Sequence, residues 1–181
     1  MSHSQTFKVV FLAFCCLILT ACTTQYPNQN PTGKMFPEVS GNSLAKEAVQ
    51  MPKHFLGEPT ALLLGYVQNA QFDIDRWLIG LDMTQTQVNF YELPAIAGMF
   101  PRMFETQIDN GMRKGIPKEL WKGVITLYDD GEALQEFTGN MNPNNARVML
   151  LDAKGKIVYF YDRGFSVAAL NDLRSELEKL K

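Results

Sequence analysis

Apolar and polar positions fall along this chain in short blocks, and the first block stands apart from the rest. Residues 9–21 form an apolar run of thirteen without a charge, behind a polar stretch with one cation, Lys8. As a helix this run would rise roughly 20 Å, well short of the ~30 Å hydrocarbon core of a bilayer. That is the layout of a cleavable signal segment. From Thr23 to about Asn42 the residues are mainly Thr, Gln, Asn, Pro, Gly and Ser. Such a composition cannot bury enough surface to fold alone and predicts a flexible tether. Fully extended, it would reach roughly 65 Å at ~3.3 Å per residue.

Beyond residue 43 the pattern alternates between strand and helix. Residues 60–67, Thr-Ala-Leu-Leu-Leu-Gly-Tyr-Val, are a continuous apolar run that predicts a buried strand. Ile74, Trp77, Leu78 and Leu81 follow at helical spacing behind Asp73, a candidate cap. Residues 87–93 alternate as a strand and stop at Pro94. Phe100, Met103, Phe104, Ile108 and Met112 then form the apolar face of a helix ended by Gly115 and Pro117. Residues 123–128 and 134–137, around the turn signal Asp129-Asp130-Gly131, predict an inserted strand or hairpin. Residues 147–152 and 156–161 form a β-hairpin through the turn 153–155. The last helix begins near Ser166, with Val167, Leu170, Leu173, Leu177 and Leu180 on one face.

This order predicts an α/β domain: a central mixed sheet with helices on both faces and an inserted strand or hairpin. The chain divides into a signal segment (1–21), a tether (22–42) and one domain (43–181) of ordinary size.

Charge and cysteine usage narrow the chemistry. The formal net charge is −2, and loss of residues 1–21 removes one cation and no acid, leaving −3. A mildly acidic chain without a basic cluster has no footprint for nucleic acid, which excludes that partner. The cysteines are Cys15, Cys16 and Cys22, so residues 23–181 contain no thiol, and His54 is their one histidine. The acidic pairs Asp73 with Asp75 and Asp129 with Asp130 read as turn and cap residues. Gly111-Met-Arg-Lys-Gly115 lacks the Lys-Ser/Thr ending of a phosphate loop. No cofactor is expected, and no resident metal. His54 with Met99 and Met103 is a conceivable copper set, since imidazole and thioether suit that metal. Arg113 and Lys114, at a helix end, complement the helix dipole and are candidate contacts for an acidic partner.

Two resemblances add to this reading. Leu19-Thr20-Ala21-Cys22, closing the apolar run, resembles the lipobox of bacterial lipoproteins. The resemblance implies cleavage before Cys22, acylation of its thiol and amino terminus, and a lipid bilayer as partner. Thr rather than Asp at position 23 implies the outer membrane, with the domain facing the periplasm. Three acyl chains exceed the two signals that stable anchoring requires.

The domain itself is similar to the thioredoxin-like fold. Residues 36–41 with Ser43-Leu44, Pro52 and residues 57–65 resemble the opening of peroxiredoxin-like domains. Leu150-Leu151-Asp152, Gly155-Lys156-Ile157 and Gly164 resemble their closing hairpin. With residues 112–117 added, the chain resembles the mitochondrial ATP synthase assembly factor family called ATP ten, and its bacterial relatives. That resemblance implies an assembly role beside a membrane complex. Redox-active members of the fold carry a cysteine just after the first central strand, at a helix amino terminus. Here that loop, residues 67–73, reads Val-Gln-Asn-Ala-Gln-Phe-Asp. Thiol turnover is therefore not expected. Gln68, Asn69, Gln71 and Asp73 become the candidate contacts of a binding or assembly module with an envelope protein partner. A ligand carrier or enzyme using the same loop, and copper delivery, are the alternatives.

Overall fold

The computed structural model describes residues 24–181. The predicted signal segment and Cys22 lie outside the described residues. The central sheet takes β3 (Thr60–Gly65), β4 (Asn89–Pro94), β6 (Arg147–Leu151) and β7 (Ile157–Tyr161) in the order β4-β3-β6-β7. β3 and β4 run parallel, while β6 is antiparallel to both β3 and β7. A second sheet, in the order β2-β1-β5, joins β1 (Val39–Ser43), β2 (Ala48–Met51) and the two-residue β5 (Ile125–Thr126). Parallel bridges from Glu92 to Val124 and from Ala95 to Leu127 connect it to the free side of β4.

β3 is buried along its whole length because both faces of the sheet are covered. Leu62, Leu64 and Tyr66 join one core with Phe36, Leu93, Leu134 and Met149. Leu63 joins the other with Ile74, Trp77, Val148 and Leu173. Each such side chain contributes roughly 1.5–3 kcal/mol by leaving water. The second core is roofed by α1 (Gln71–Met83) and the final helix, α5 (Val167–Glu178). These two cross closely at Gly80, where a Cβ would lie 2.9 Å from Leu170 Cδ2. Ser166 caps α5, its Oγ accepting from the Ala169 amide at 3.1 Å. Leu170, Leu173 and Leu177 face inward as predicted, whereas Val167 is exposed.

The structure corrects four expectations. First, residues 134–137 are not a strand but lie in a helix, α4 (Gly131–Thr138). Gly131, Leu134, Gln135 and Thr138 are its buried residues, at the i, i+3, i+4, i+7 spacing of one helix face. Second, the apolar helix expected over 100–112 is broken at Phe104 into α2 (Met99–Met103) and α3 (Glu105–Gly115). Neither piece contains a buried residue, so its apolar face is not core.

Third, the chain up to residue 42 is no tether where it is described. Its backbone docks as a strap: Gln29 N donates to Thr138 O (2.9 Å), Gly33 N to Ile157 O (2.8 Å) and Phe36 N to Gly155 O (2.9 Å). Pro31 and Phe36 are buried beneath it. Backbone bonds to neighbouring elements, with the burial of these two side chains, hold a segment whose composition is otherwise polar. Fourth, β1 begins within the predicted tether and pairs with β2, so the folded domain starts before residue 43.

Candidate functional site

The sheet topology gathers three chain segments at one edge. β3 ends at Gly65 and leads through Val67 and the turn Gln68–Ala70 into α1. Leu64 pairs with Arg147, so the loop entering β6 arrives at that same edge. Val148 pairs with Tyr161, which brings the end of β7 back to it. The three segments enclose an open cleft of about 540 Å³. Asn69, Phe72, Asp73 and Arg76 form one wall, Asn144 and Asn145 the second, and Arg163, Gly164 and Phe165 the third.

Asp73 holds the walls together. It is not the cap of α1, which begins at Gln71, but a buried carboxylate in the first turn. Its Oδ2 accepts from Ala146 N at 2.9 Å and its Oδ1 from Phe165 N at 2.7 Å. Asn145 Nδ2 donates to Asp162 O at 2.9 Å, fixing the loop across the mouth. Phe165 stacks edge-on against the buried Trp77 at 5.4 Å, which seats the third wall on the core. The Arg163 guanidinium lies over the Tyr161 ring at 5.1 Å. Neither Arg76 nor Arg163 takes part in an ion pair among the described residues.

The predicted contact residues separate. Asn69 and Asp73 line the cleft. Gln68 is exposed in the turn beside it. Gln71 turns away, donating to Asp75 Oδ1 (2.9 Å) and Glu92 Oε2 (3.4 Å). Burial raises the Glu92 carboxyl above its ordinary value, and the bond from Gln71 opposes this. Arg113 and Lys114 end α3, outside the cleft. Arg113 is engaged in structure: its Nε donates to Leu44 O at 2.7 Å, its Nη1 to Asn110 Oδ1 at 2.9 Å, and it lies over Trp121 at 5.9 Å. Lys114 is exposed.

Sequence reasoning missed Arg147, the buried cation behind the cleft. Its Nη1 donates to Asn142 O (2.7 Å) and Asn145 O (2.8 Å), and its guanidinium covers the Tyr66 ring at 4.8 Å. Nε and Nη2 have no partner among the described residues. Burial lowers the guanidinium pKa. Tyr66, whose hydroxyl donates to Leu134 O at 3.0 Å and bonds Thr138 Oγ1, is pushed up to about 12 by burial. The available signal was an arginine opening an otherwise wholly apolar strand. Asn144, Asn145, Arg76 and Arg163 were also missed, because only the strand pairings bring them together.

No family model matches the chain, and no curated protein matches it either. Solved structures do. An SCO1/SenC family lipoprotein from Bacillus anthracis aligns with TM-score 0.56 and 11% identity, over 85% of this chain and 99% of its own. The thioredoxin domain of a thiol-disulfide oxidoreductase from Bacteroides vulgatus aligns with TM-score 0.53 and 17% identity, over 84% and 100%. Arabidopsis thaliana ScoI, solved with copper bound, aligns with TM-score 0.52 and 14% identity, over 80% and 99%. The fold is therefore thioredoxin-like, as the sequence resemblance implied.

Among the described residues, the lining of the cleft is not a copper set. Among the described residues no group of three or more His, Cys, Asp or Glu could hold a metal ion. The cleft offers amides and a carboxylate already bonded through both oxygens, flanked by two guanidinium cations. Copper favours sulfur and imidazole. The set imagined from sequence is not assembled: His54 lies against Tyr91 and Asn89 in the first half of β4, while Met99 and Met103 lie beyond the far end of that strand.

Proposed function

We propose that this chain is a lipid-anchored envelope protein whose thioredoxin-like domain works by binding rather than by thiol chemistry. Its cleft takes a carboxylate-bearing segment of an envelope protein partner. The observation that carries this reading is the cleft's polar inventory. Arg76 and Arg163 flank the amides of Asn69, Asn144 and Asn145, and the one acid present, Asp73, is consumed in holding the walls. Planar guanidinium groups grip carboxylates through paired hydrogen bonds, and asparagines add donors and acceptors for a peptide backbone. Exposed Phe72 gives the same surface an apolar anchor.

Composition supports redox inactivity. No sulfur nucleophile exists in residues 23–181, and disulfide exchange needs a thiolate. Cys22, the expected acylation site, supplies the membrane attachment, and Thr23 supports the outer membrane over the inner. The sequence resemblance to an assembly factor family supports a role in building an envelope complex.

A photo-crosslinking residue at Asn144, in cells making the full chain, tests the binding reading. Arg76→Glu with Arg163→Glu should abolish a reproducible crosslink to an envelope protein without lowering the melting temperature. A crosslink that survives both reversals would overturn the carboxylate assignment. Insulin reduction or peroxide consumption by the purified protein would overturn the non-redox reading.

A further inference from the structure

We propose that α2 and the Phe104 that ends it are a second membrane contact, in which Met99, Phe100, Met103 and Phe104 sit in the interface of the bilayer that holds acylated Cys22. This rests on the lipoprotein reading above. These four side chains are 80%, 72%, 70% and 40% exposed. The Phe100 and Phe104 rings meet at 4.9 Å, so the surface is continuous. Single exposed apolar residues are ordinary, but four within residues 99–104, across α2 and the Phe104 that ends it, mark a contact surface.

The path of the chain identifies the occupant. One residue, Thr23, separates Cys22 from Thr24, which limits their Cα atoms to about 7 Å apart. Thr24 is held on the domain: its carbonyl accepts from Asn140 Nδ2 at 2.9 Å, and Asn140 Oδ1 accepts from Tyr26 N at 2.8 Å. Tyr26 then reaches along α4, its hydroxyl donating to Glu132 Oε1 at 2.8 Å in the first turn. α2 is tied to that same end of α4. Arg102 Nε bonds Asp129 Oδ1 at 2.7 Å, just before α4 begins. Gly131 lies against the Ile96 backbone, so close that a Cβ would be 2.7 Å from Ile96 O.

α4 is eight residues long, about 12 Å. A bilayer at the acylated terminus thus lies one short helix away from the apolar surface. Phe and Met suit the acyl boundary, and Arg102 suits the phosphate level above it. With the acyl chains already securing attachment, the helix contact fixes orientation: it prevents the domain from pivoting about its short link.

Fluorescence of the full acylated chain in phosphatidylcholine and phosphatidylglycerol vesicles tests this. Met103→Cys introduces the one free thiol of the acylated protein, for labelling with an environment-sensitive dye. Lys154→Cys, at the β6–β7 turn on the opposite end of the sheet from α2, is the reference. The position-103 dye should shift to the blue and lose emission to doxyl-labelled lipid, while the position-154 dye does neither. A blue shift without lipid quenching would mean that protein covers the helix, and would overturn the inference. Equal behaviour of the two dyes would overturn it as well. Mass spectrometry of the amino-terminal peptide separates the two readings. Absence of acyl chains sinks the anchor and this contact together, whereas an acylated protein with an unquenched position-103 dye sinks the contact alone.

Discussion

Gly139→Ala separates a docked strap from a free tether. Gly139 follows α4 with φ 79° and ψ 159°, a region open almost only to glycine, so any side chain there costs ~1–3 kcal/mol. A Cβ would also stand 2.3 Å from Asn28 Cα and 2.3 Å from Pro27 O. Carbon atoms rest ~3.5–4.0 Å apart, so the strap would have to withdraw by ~1 Å or more. That movement strains four hydrogen bonds. Tyr26 N to Asn140 Oδ1 is 2.8 Å, Asn140 N to Tyr26 O 3.0 Å, Gln29 N to Thr138 O 2.9 Å and Met141 N to Asn28 Oδ1 3.0 Å. At a net ~0.5–1.5 kcal/mol each, their loss is offset in part by the entropy the released residues regain. The strap's share comes to ~1–3 kcal/mol, and the total to ~2–6 kcal/mol. Gly57→Ala is the control: Gly57 has φ 110° and nothing within 4 Å of a built Cβ, so only the conformational cost applies. Urea unfolding measures both variants, and trypsin cleavage after Lys34 reports on the strap directly. Equal stability losses, with Lys34 cut no faster in Gly139→Ala, would refute the docking. The premise that fixes Thr24 beside the end of α4 would fall with it.

Three further outcomes follow from buried groups. Tyr66→Phe removes a hydroxyl bonded to Leu134 O and Thr138 Oγ1 and should cost ~1–3 kcal/mol by urea unfolding; an unchanged midpoint would show that water replaces it. Burial raises the Glu92 carboxyl, so the folded state favours its protonated form, and that contribution is present below the unfolded pKa and lost as pH rises through the folded one. Glu92→Gln should therefore be more stable than the parent at pH 7, with the gain fading below pH ~4; a gain independent of pH would contradict this. Asp73→Asn loses a charge-assisted acceptor and should cost ~1.5–3 kcal/mol, with faster hydrogen exchange at the Ala146 and Phe165 amides; protected amides would show that the carboxylate is not what joins the walls.

The central sheet was legible because β3 and β6 are covered on both faces, which writes continuous apolar runs into the sequence. α1 and α5 were legible from their 3.6-residue periodicity. α4 was hidden because two of its four buried positions are Gly131 and Thr138, and the Asp-Asp-Gly turn signal pointed to a hairpin. The strap was hidden for another reason: an extended chain that bonds through its backbone leaves no periodic trace. In α2 and α3 the periodicity was real but its inference was not, since an amphipathic pattern says that something covers a face and not what does. Part of the site was legible through the fold, which pointed to residues 67–73 and so to Asn69 and Asp73. Its cations were not, because Arg76, Arg163 and the Asn144-Asn145 pair meet only through the antiparallel registers of β3, β6 and β7.

Asp73 shows why a sulfur-free cleft keeps its shape. It sits in the loop-to-helix segment where the fold places thiol chemistry, but its two oxygens are turned to the other walls and accept one backbone amide from each. A buried carboxylate that accepts two amides is a structural fastener, and it leaves no lone acid to compete for Arg76 or Arg163. Arg147 reinforces the same loop from behind by gripping the carbonyls of Asn142 and Asn145. The approach to β6 is thus held from both sides by charged groups, while the cations facing the cleft remain unpaired among the described residues. Fixing a loop in advance lowers the ordering cost that any ligand of the cleft would otherwise meet, which is what the proposed binding role requires. The proposed binding role takes Arg76 and Arg163 as its carboxylate contacts on a loop that is already fixed, so their charge reversal should disturb binding and leave the fold intact.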